Sequence, residues 1–230
     1  MNKLTAPITA ILLATLIVSI SCKQNSVSED YSGFTEKHIE LAGLDKDLNW
    51  KDSIASVTIK VPQRLDTFYK WHKTSDCLTC GRLQYRFADH HYTQFAESGS
   101  DSSNIADSVY QMTLIHDPVI QRRKKVLKKL VPGDTTTLPR YLANSATSCD
   151  KFDFLYRKFE TIHGRTFVLT AFTSHCSLIS SDKPSLFVGA ITPLKDMSLM
   201  ILAESTAQDT TGFIDLVNKS IRSLEIQEPK

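Results

Sequence analysis

Two runs of strict apolar–polar alternation constrain this chain's fold more than any other feature. Ala55, Val57, Ile59 and Val61 alternate with Ser56, Thr58 and Lys60 until Pro62 stops the run. Leu83, Tyr85 and Phe87 alternate with Gln84 and Arg86. Successive side chains of an extended chain point to opposite faces, so period two with one apolar face predicts a half-buried strand. The aromatic stretch Phe68 to His72 reads as extended, and Val109 to Ile115 reads as a further strand. Residues 152–162 and 166–173 flank His163-Gly164, a pair suited to a tight hairpin turn. Residues 186–192 and 198–203 form a second pair, joined near Pro193 to Asp196.

Helical periodicity occurs twice. Asp117-Pro118 is a helix start: Asp caps, and Pro is tolerated at the first helical position. Val119, Ile120, Val126, Leu127, Leu130 and Val131 then fall on one arc, and Pro132-Gly133 ends the run. A last helix is capped by Asp209 or Thr210, with Phe213, Leu216, Val217, Ile221 and Leu224 as its buried stripe. Strands, helix, more strands and a helix imply the α+β class: an antiparallel β-sheet with two principal helices packed on it. Residues 23–47 are rich in Ser, Asn and acids and lack apolar periodicity, so they read as a polar tether. The single α+β domain is then expected over 48–230, a size that buries a substantial core.

The chain's beginning is of another kind. Lys3 is followed by an uncharged stretch from Leu4 to Ser21, with Ile11 to Val18 strongly apolar. A positive tip, an apolar core and a small residue before the cut describe a secretory signal. The pair Ser21-Cys22 resembles the lipobox of bacterial lipoproteins, although Ser19 stands where that family favours leucine. The resemblance implies removal of 1–21 and lipidation of Cys22, with 22–47 as lipidated cysteine and tether. Lys23, rather than Asp, follows the cysteine, which implies the outer membrane, on its periplasmic side or at the cell surface. The chain of 230 residues carries 27 Lys+Arg against 25 Asp+Glu, too even a balance for a dedicated nucleic-acid binder.

The C-terminal run, with its paired strands, the helix containing Phe213 and the closing Lys219-Ser220-Ile221-Arg222-Ser223-Leu224, resembles the end of the PsbP-like superfamily. That resemblance implies a small accessory or binding protein without catalysis.

The chemistry-bearing residues leave several readings open. Besides Cys22 there are Cys77, Cys80, Cys149 and Cys176; an even number in an exported chain suggests two disulfides. Cys77–Cys80 with Cys149–Cys176 is the preferred pairing of three. Cys77-Leu-Thr-Cys80 is also a Cys-X-X-Cys motif, but a strand rather than a helix is expected after it, unlike thiol–disulfide enzymes. With His72 and His175 these cysteines form a weak zinc pattern, and His90-His91 is another metal candidate. Arg122, Arg123, Lys124, Lys125, Lys128 and Lys129 make the first helix intensely basic. That face is either simply solvated or contacts an anionic surface. His116 and His163 read as surface or capping residues. No Gly-X-Ser-X-Gly, Walker, dinucleotide or His-Glu-X-X-His pattern is present. The expectation is a non-enzymatic protein without cofactor or metal, attached to a membrane by lipid and binding an envelope protein partner.

Overall fold

The computed structural model describes residues 29–44, 50–73, 82–90, 110–117, 152–174, 184–194, 197–206 and 209–229. Among them ten strands and one helix are formed: β1 (Phe34–Leu44), β2 (Trp50–Pro62), β3 (Thr67–Lys73), β4 (Arg82–Ala88), β5 (Tyr110–Asp117), β6 (Phe152–Ile162), β7 (Arg165–Ser174), β8 (Ser185–Leu194), β9 (Met197–Ser205), α1 (Thr210–Arg222) and β10 (Glu225–Gln227). A seven-stranded sheet runs β3-β4-β5-β9-β8-β7-β6, and a three-stranded sheet runs β1-β2-β10. Every pairing is antiparallel. The fold is therefore mainly antiparallel β with a packed helix. The second expected helix, over 119–131, lies outside the described residues.

The predicted strands form with small shifts of boundary. The β6–β7 hairpin turns at His163 (φ 47°) and Gly164 (φ 78°). Two consecutive residues at positive φ let the turn follow the strands' right-handed twist. Leu155 is an extra residue where the β6–β7 register shifts between Phe154 and Tyr156, and its side chain is exposed. The bulge re-aims the strand: Phe154 stands opposite Phe172, whereas Tyr156 stands opposite Ala171 on the other face.

The expected tether is corrected. Residues 34–44 are not a leash but β1, paired along β2 from Phe34↔Pro62 to Leu44↔Trp50. The folded unit begins at Tyr31, not at residue 48. Its inward residues Ile39 and Leu41 are buried, while Glu36, His38 and Glu40 face solvent.

α1 starts as expected. The Asp209 carboxylate accepts the Gly212 N–H at 2.9 Å. A Cβ on Gly212 would lie 2.2 Å from Asp209 Oδ2, so a side chain there would push the capping carboxylate aside. Phe213, Val217, Ile221 and the following Leu224 are buried, but Leu216 is only half-buried. α1 packs on β2 and on the β8–β9 pair. The main core joins these elements: Val57, Ile59 and Val61 of β2, Tyr85 and Phe87 of β4, Met112 and Leu114 of β5, Leu169 of β7, Val188 of β8, Ile201 of β9, and the helix stripe. These large-sheet positions define its inner face. Among the described residues no helix is long and apolar enough to cross a membrane.

Candidate functional site

Strand parity assigns a second population of side chains to the outer face of the seven-stranded sheet. Gln84, Gln111, Thr113, Thr170 and Glu204 alternate with inner-face neighbours, and all five are buried. Register brings Arg86 opposite Thr113, and Gln111 opposite Glu204. Arg86 Nε donates to Thr113 Oγ1 at 3.1 Å, and Gln111 Nε2 donates to Glu204 Oε2 at 3.0 Å. Gln111 Oε1 is buried and finds no hydrogen-bond partner among the described residues. Burial pulls the Arg86 guanidinium down to about 10, against the opposing pull of the Glu204 carboxylate. It remains a cation at neutral pH. Along the same face, Glu204 is in register with Phe187 and Phe187 with Phe172, whose rings stack 5.0 Å apart. Phe152 and Phe154 extend this aromatic row to the β6 edge. Such a face combines a half-buried cation, a buried carboxylate, an amide oxygen with no partner among the described residues and an aromatic strip.

A second cluster gathers at the end of the small sheet where β1 begins. Tyr31 and Phe34 meet edge to face at 5.5 Å. Lys60 Nζ sits 4.1 Å from the Tyr31 ring centroid. The Tyr31 hydroxyl donates to the Lys219 carbonyl at 3.5 Å. Ser223 Oγ accepts the Lys60 N–H at 2.8 Å, tying the helix end to β2. The β2–β3 turn adds Arg64, whose Nε donates to the buried Asp89 at 2.5 Å while its guanidinium covers the Tyr110 ring at 4.1 Å.

Nearby, His90 Nδ1 lies 2.6 Å from Asp66 Oδ2. The slight burial of Asp66 works against ionisation, but hydrogen bonds from His90 and Thr67 outweigh it and hold the carboxyl below its ordinary value. The contact lies at the surface, and no group of three or more potential metal ligands occurs among the described residues.

The residues singled out from sequence fall elsewhere. Cys22, Cys77, Cys80, Cys149 and Cys176 lie outside the described residues, as do Arg122, Arg123, Lys124, Lys125, Lys128 and Lys129, and also His91 and His175. His72 is placed on β3. His116, expected at the surface, is buried on the inner-face side of β5 because it continues the parity of Met112 and Leu114. His163 is exposed, and its Nε2 lies 3.0 Å from the carbonyl of Arg222 at the helix C-terminus, a capping contact. The outer-face cluster was missed. Gln84 and Arg86 read as the wet side of a half-buried strand, whereas Gln84 is only 7% exposed. Parity places Arg86, Gln111 and Glu204 on the face opposite the core residues but carries no signal that this face is covered.

No protein-family model and no curated protein matches the chain. Solved structures that resemble it in chain path include the following two. The Ran-binding protein Mog1p of Saccharomyces cerevisiae is 12% identical, with 84% of this chain and 95% of that chain covered and a TM-score of 0.38. Protein PA94 of Pseudomonas aeruginosa, whose function is unknown, is 9% identical, with 83% and 99% covered and a TM-score of 0.30. Neither likeness reaches the level at which a shared fold follows.

Proposed function

We propose that this chain is a lipid-anchored accessory or binding protein of the cell envelope, acylated at Cys22 and acting through a protein partner rather than through catalysis. The pattern from Met1 to Cys22 carries the reading: one lysine, an uncharged apolar run, then Ser21 before cysteine. Removing 1–21 takes away Lys3 and leaves a nearly neutral chain. Several acyl chains on one residue anchor stably where one alone does not. Lys23 favours the outer membrane, on the periplasmic side or at the cell surface. The PsbP-like resemblance of the C-terminal run agrees with an accessory role.

Intact mass spectrometry of protein extracted from membranes tests the anchor. The expected mass is that of residues 22–230 plus acyl groups, and Cys22→Ser should shift the protein out of the membrane fraction. Recovery of an unmodified chain that still carries residues 1–21 would sink the proposal. Demonstrated turnover of a substrate, with no partner recovered by cross-linking in envelopes, would overturn the non-catalytic part.

A further inference from the structure

We infer that the end of the small sheet bearing Tyr31, Phe34, Lys60 and Lys219 is the surface that lies against the bilayer holding Cys22. This rests on the proposed acylation of Cys22. It goes beyond that proposal by saying which part of the domain meets lipid, and why.

The argument begins with chain length. A tether running to residue 47 would let the domain wander up to about 90 Å from its anchor, at 3.3–3.6 Å per extended residue. The folded unit in fact starts at Tyr31, nine residues on from Cys22. Nine residues span at most about 30 Å. That is less than the length of β1 itself, whose 11 residues rise about 3.4 Å each. A domain on so short a leash cannot turn freely. The end from which the leash departs must face the membrane.

Register defines that end. Phe34 opens β1 opposite Pro62, which closes β2, and Gln63 N–H donates to the Gly33 carbonyl at 2.9 Å. Tyr31 and Phe34 are both half-buried, leaving aromatic edges at the surface. Lys60 stands over Tyr31, and Lys219 is held by its carbonyl to the Tyr31 hydroxyl. Aromatic rings with a polar tip and long-stemmed cations are the groups that settle at a headgroup layer, apolar stem inward and charge outward. Glu29, Asp30 and Glu36 lie in the same stretch of chain, so the lysines bring no strong net charge. Position on the leash, rather than bulk electrostatic attraction, therefore sets the contact.

The test compares acylated protein inserted into vesicles of phosphatidylethanolamine and phosphatidylglycerol with the Cys22→Ser protein in solution. Amine acetylation is followed by peptide mass spectrometry at Lys60 and Lys219, relative to Lys70. Lys70 is exposed on β3 and pairs with Tyr85, whose hydroxyl reaches Glu40 and Ala42 well along β1 from Phe34. The relative rates at Lys60 and Lys219 should fall at least about threefold on vesicles, as expected for stems drawn into the headgroup layer. Inserting a flexible Gly/Ser segment of about 20 residues after Lys23 should restore the solution rates, because its average reach exceeds 20 Å. Unchanged relative rates in protein whose Cys22 is shown to be acylated would overturn the inference while leaving the anchor intact. Protection that survives the insertion would overturn the short leash as its cause. Absence of acyl mass on Cys22 would instead remove the anchor on which both rest.

Discussion

The two faces of the seven-stranded sheet bury side chains in opposite chemical styles. The inner face is dry in its middle: Met112, Leu114, Ala203, Val188 and Leu169 meet the helix and small sheet with apolar atoms. Its charges stand at the rim, where Glu160 of β6 takes Arg222 Nε at 2.7 Å and Lys158 Nζ at 2.8 Å, with the Glu160 side chain one quarter exposed. The outer face draws its charge inward, with Glu204 of β9 buried and Arg86 of β4 half-buried. Dry burial stabilises through area and packing alone. Buried charge stabilises little on balance but penalises heavily the loss of one partner. The inner face thus resists substitution by volume, and the outer face by charge matching.

Glu204 offers the largest test of that contrast. Glu204→Leu takes away the carboxylate that favours the Arg86 charge and strips Gln111 Nε2 of its acceptor. The expected loss is about 2–3 kcal/mol by urea denaturation. Adding Arg86→Met should recover most of it, since replacing both charges by apolar groups of similar size is often neutral. If the double variant is no more stable than the single, charge matching is not what the outer face requires.

Tyr85 sharpens the other side of the comparison. Its ring belongs to the inner-face core, but its hydroxyl serves β1. At the β1 register shift between Leu41 and Gly43, Tyr85 Oη accepts the Ala42 N–H at 2.8 Å and donates to the Glu40 carbonyl at 3.0 Å. The bulge frees an amide from the ladder, and the tyrosine satisfies it. Tyr85→Phe keeps the ring and strands that amide, so a loss of about 1–3 kcal/mol is expected in the same denaturation assay. Faster hydrogen exchange at Ala42, with β8 amides unchanged, would locate the loss at the joint between sheets. A loss below a few tenths would mean that water replaces the hydroxyl.

How far all this was legible depends on whether each feature is local. Alternation in β2 and β4, the His163-Gly164 turn and the Asp209 cap are local, and they form where expected. β1 was hidden because, among its described side chains, only Ile39 and Leu41 are buried, flanked by Lys37, Glu36, His38 and Glu40, and then the bulge breaks the period. A strand with two inward apolar residues looks like a polar linker until its partner is known. The outer-face cluster was hidden for another reason. Period two tells which residues share a face, but not whether the polar set meets water. Gln84 and Gln111 have the same pattern as any solvent-facing residue, and their burial is decided by tertiary structure. Cys77, Cys80, Cys149 and Cys176 and the basic run lie outside the described residues, so their reading still rests on spacing alone.

The inner face's rim charges should show themselves through pH rather than through large losses. Burial alone would raise the Glu160 carboxyl, but hydrogen bonds from Arg222 and Lys158 outweigh it and hold the group below its ordinary value of 4.5. A carboxyl depressed on folding contributes stability that is fully present above its unfolded value and disappears as pH falls through the folded one. Stability should therefore decline from just above pH 4.5 downward, and Glu160→Gln should flatten that part of the curve while costing less than about 1 kcal/mol near neutrality. Arg86 gives a slope of the same sign at the alkaline end: burial depresses its cation to about 10, so the folded state gives up this proton more readily than the unfolded chain. The penalty for holding the charge in the fold therefore eases as pH rises above about 10. The buried tyrosines Tyr85, Tyr110 and Tyr156 act against it, because burial raises each and stability is lost as pH climbs past 10. Asp66 is depressed as well, so it is the difference between wild type and Glu160→Gln in the acid limb that isolates the inner-face rim, whereas alkaline titration mixes both faces. An acid limb identical in the wild type and Glu160→Gln would mean that Glu160 gains nothing from its two cations, and the contrast between rim and interior charge would lose its inner half.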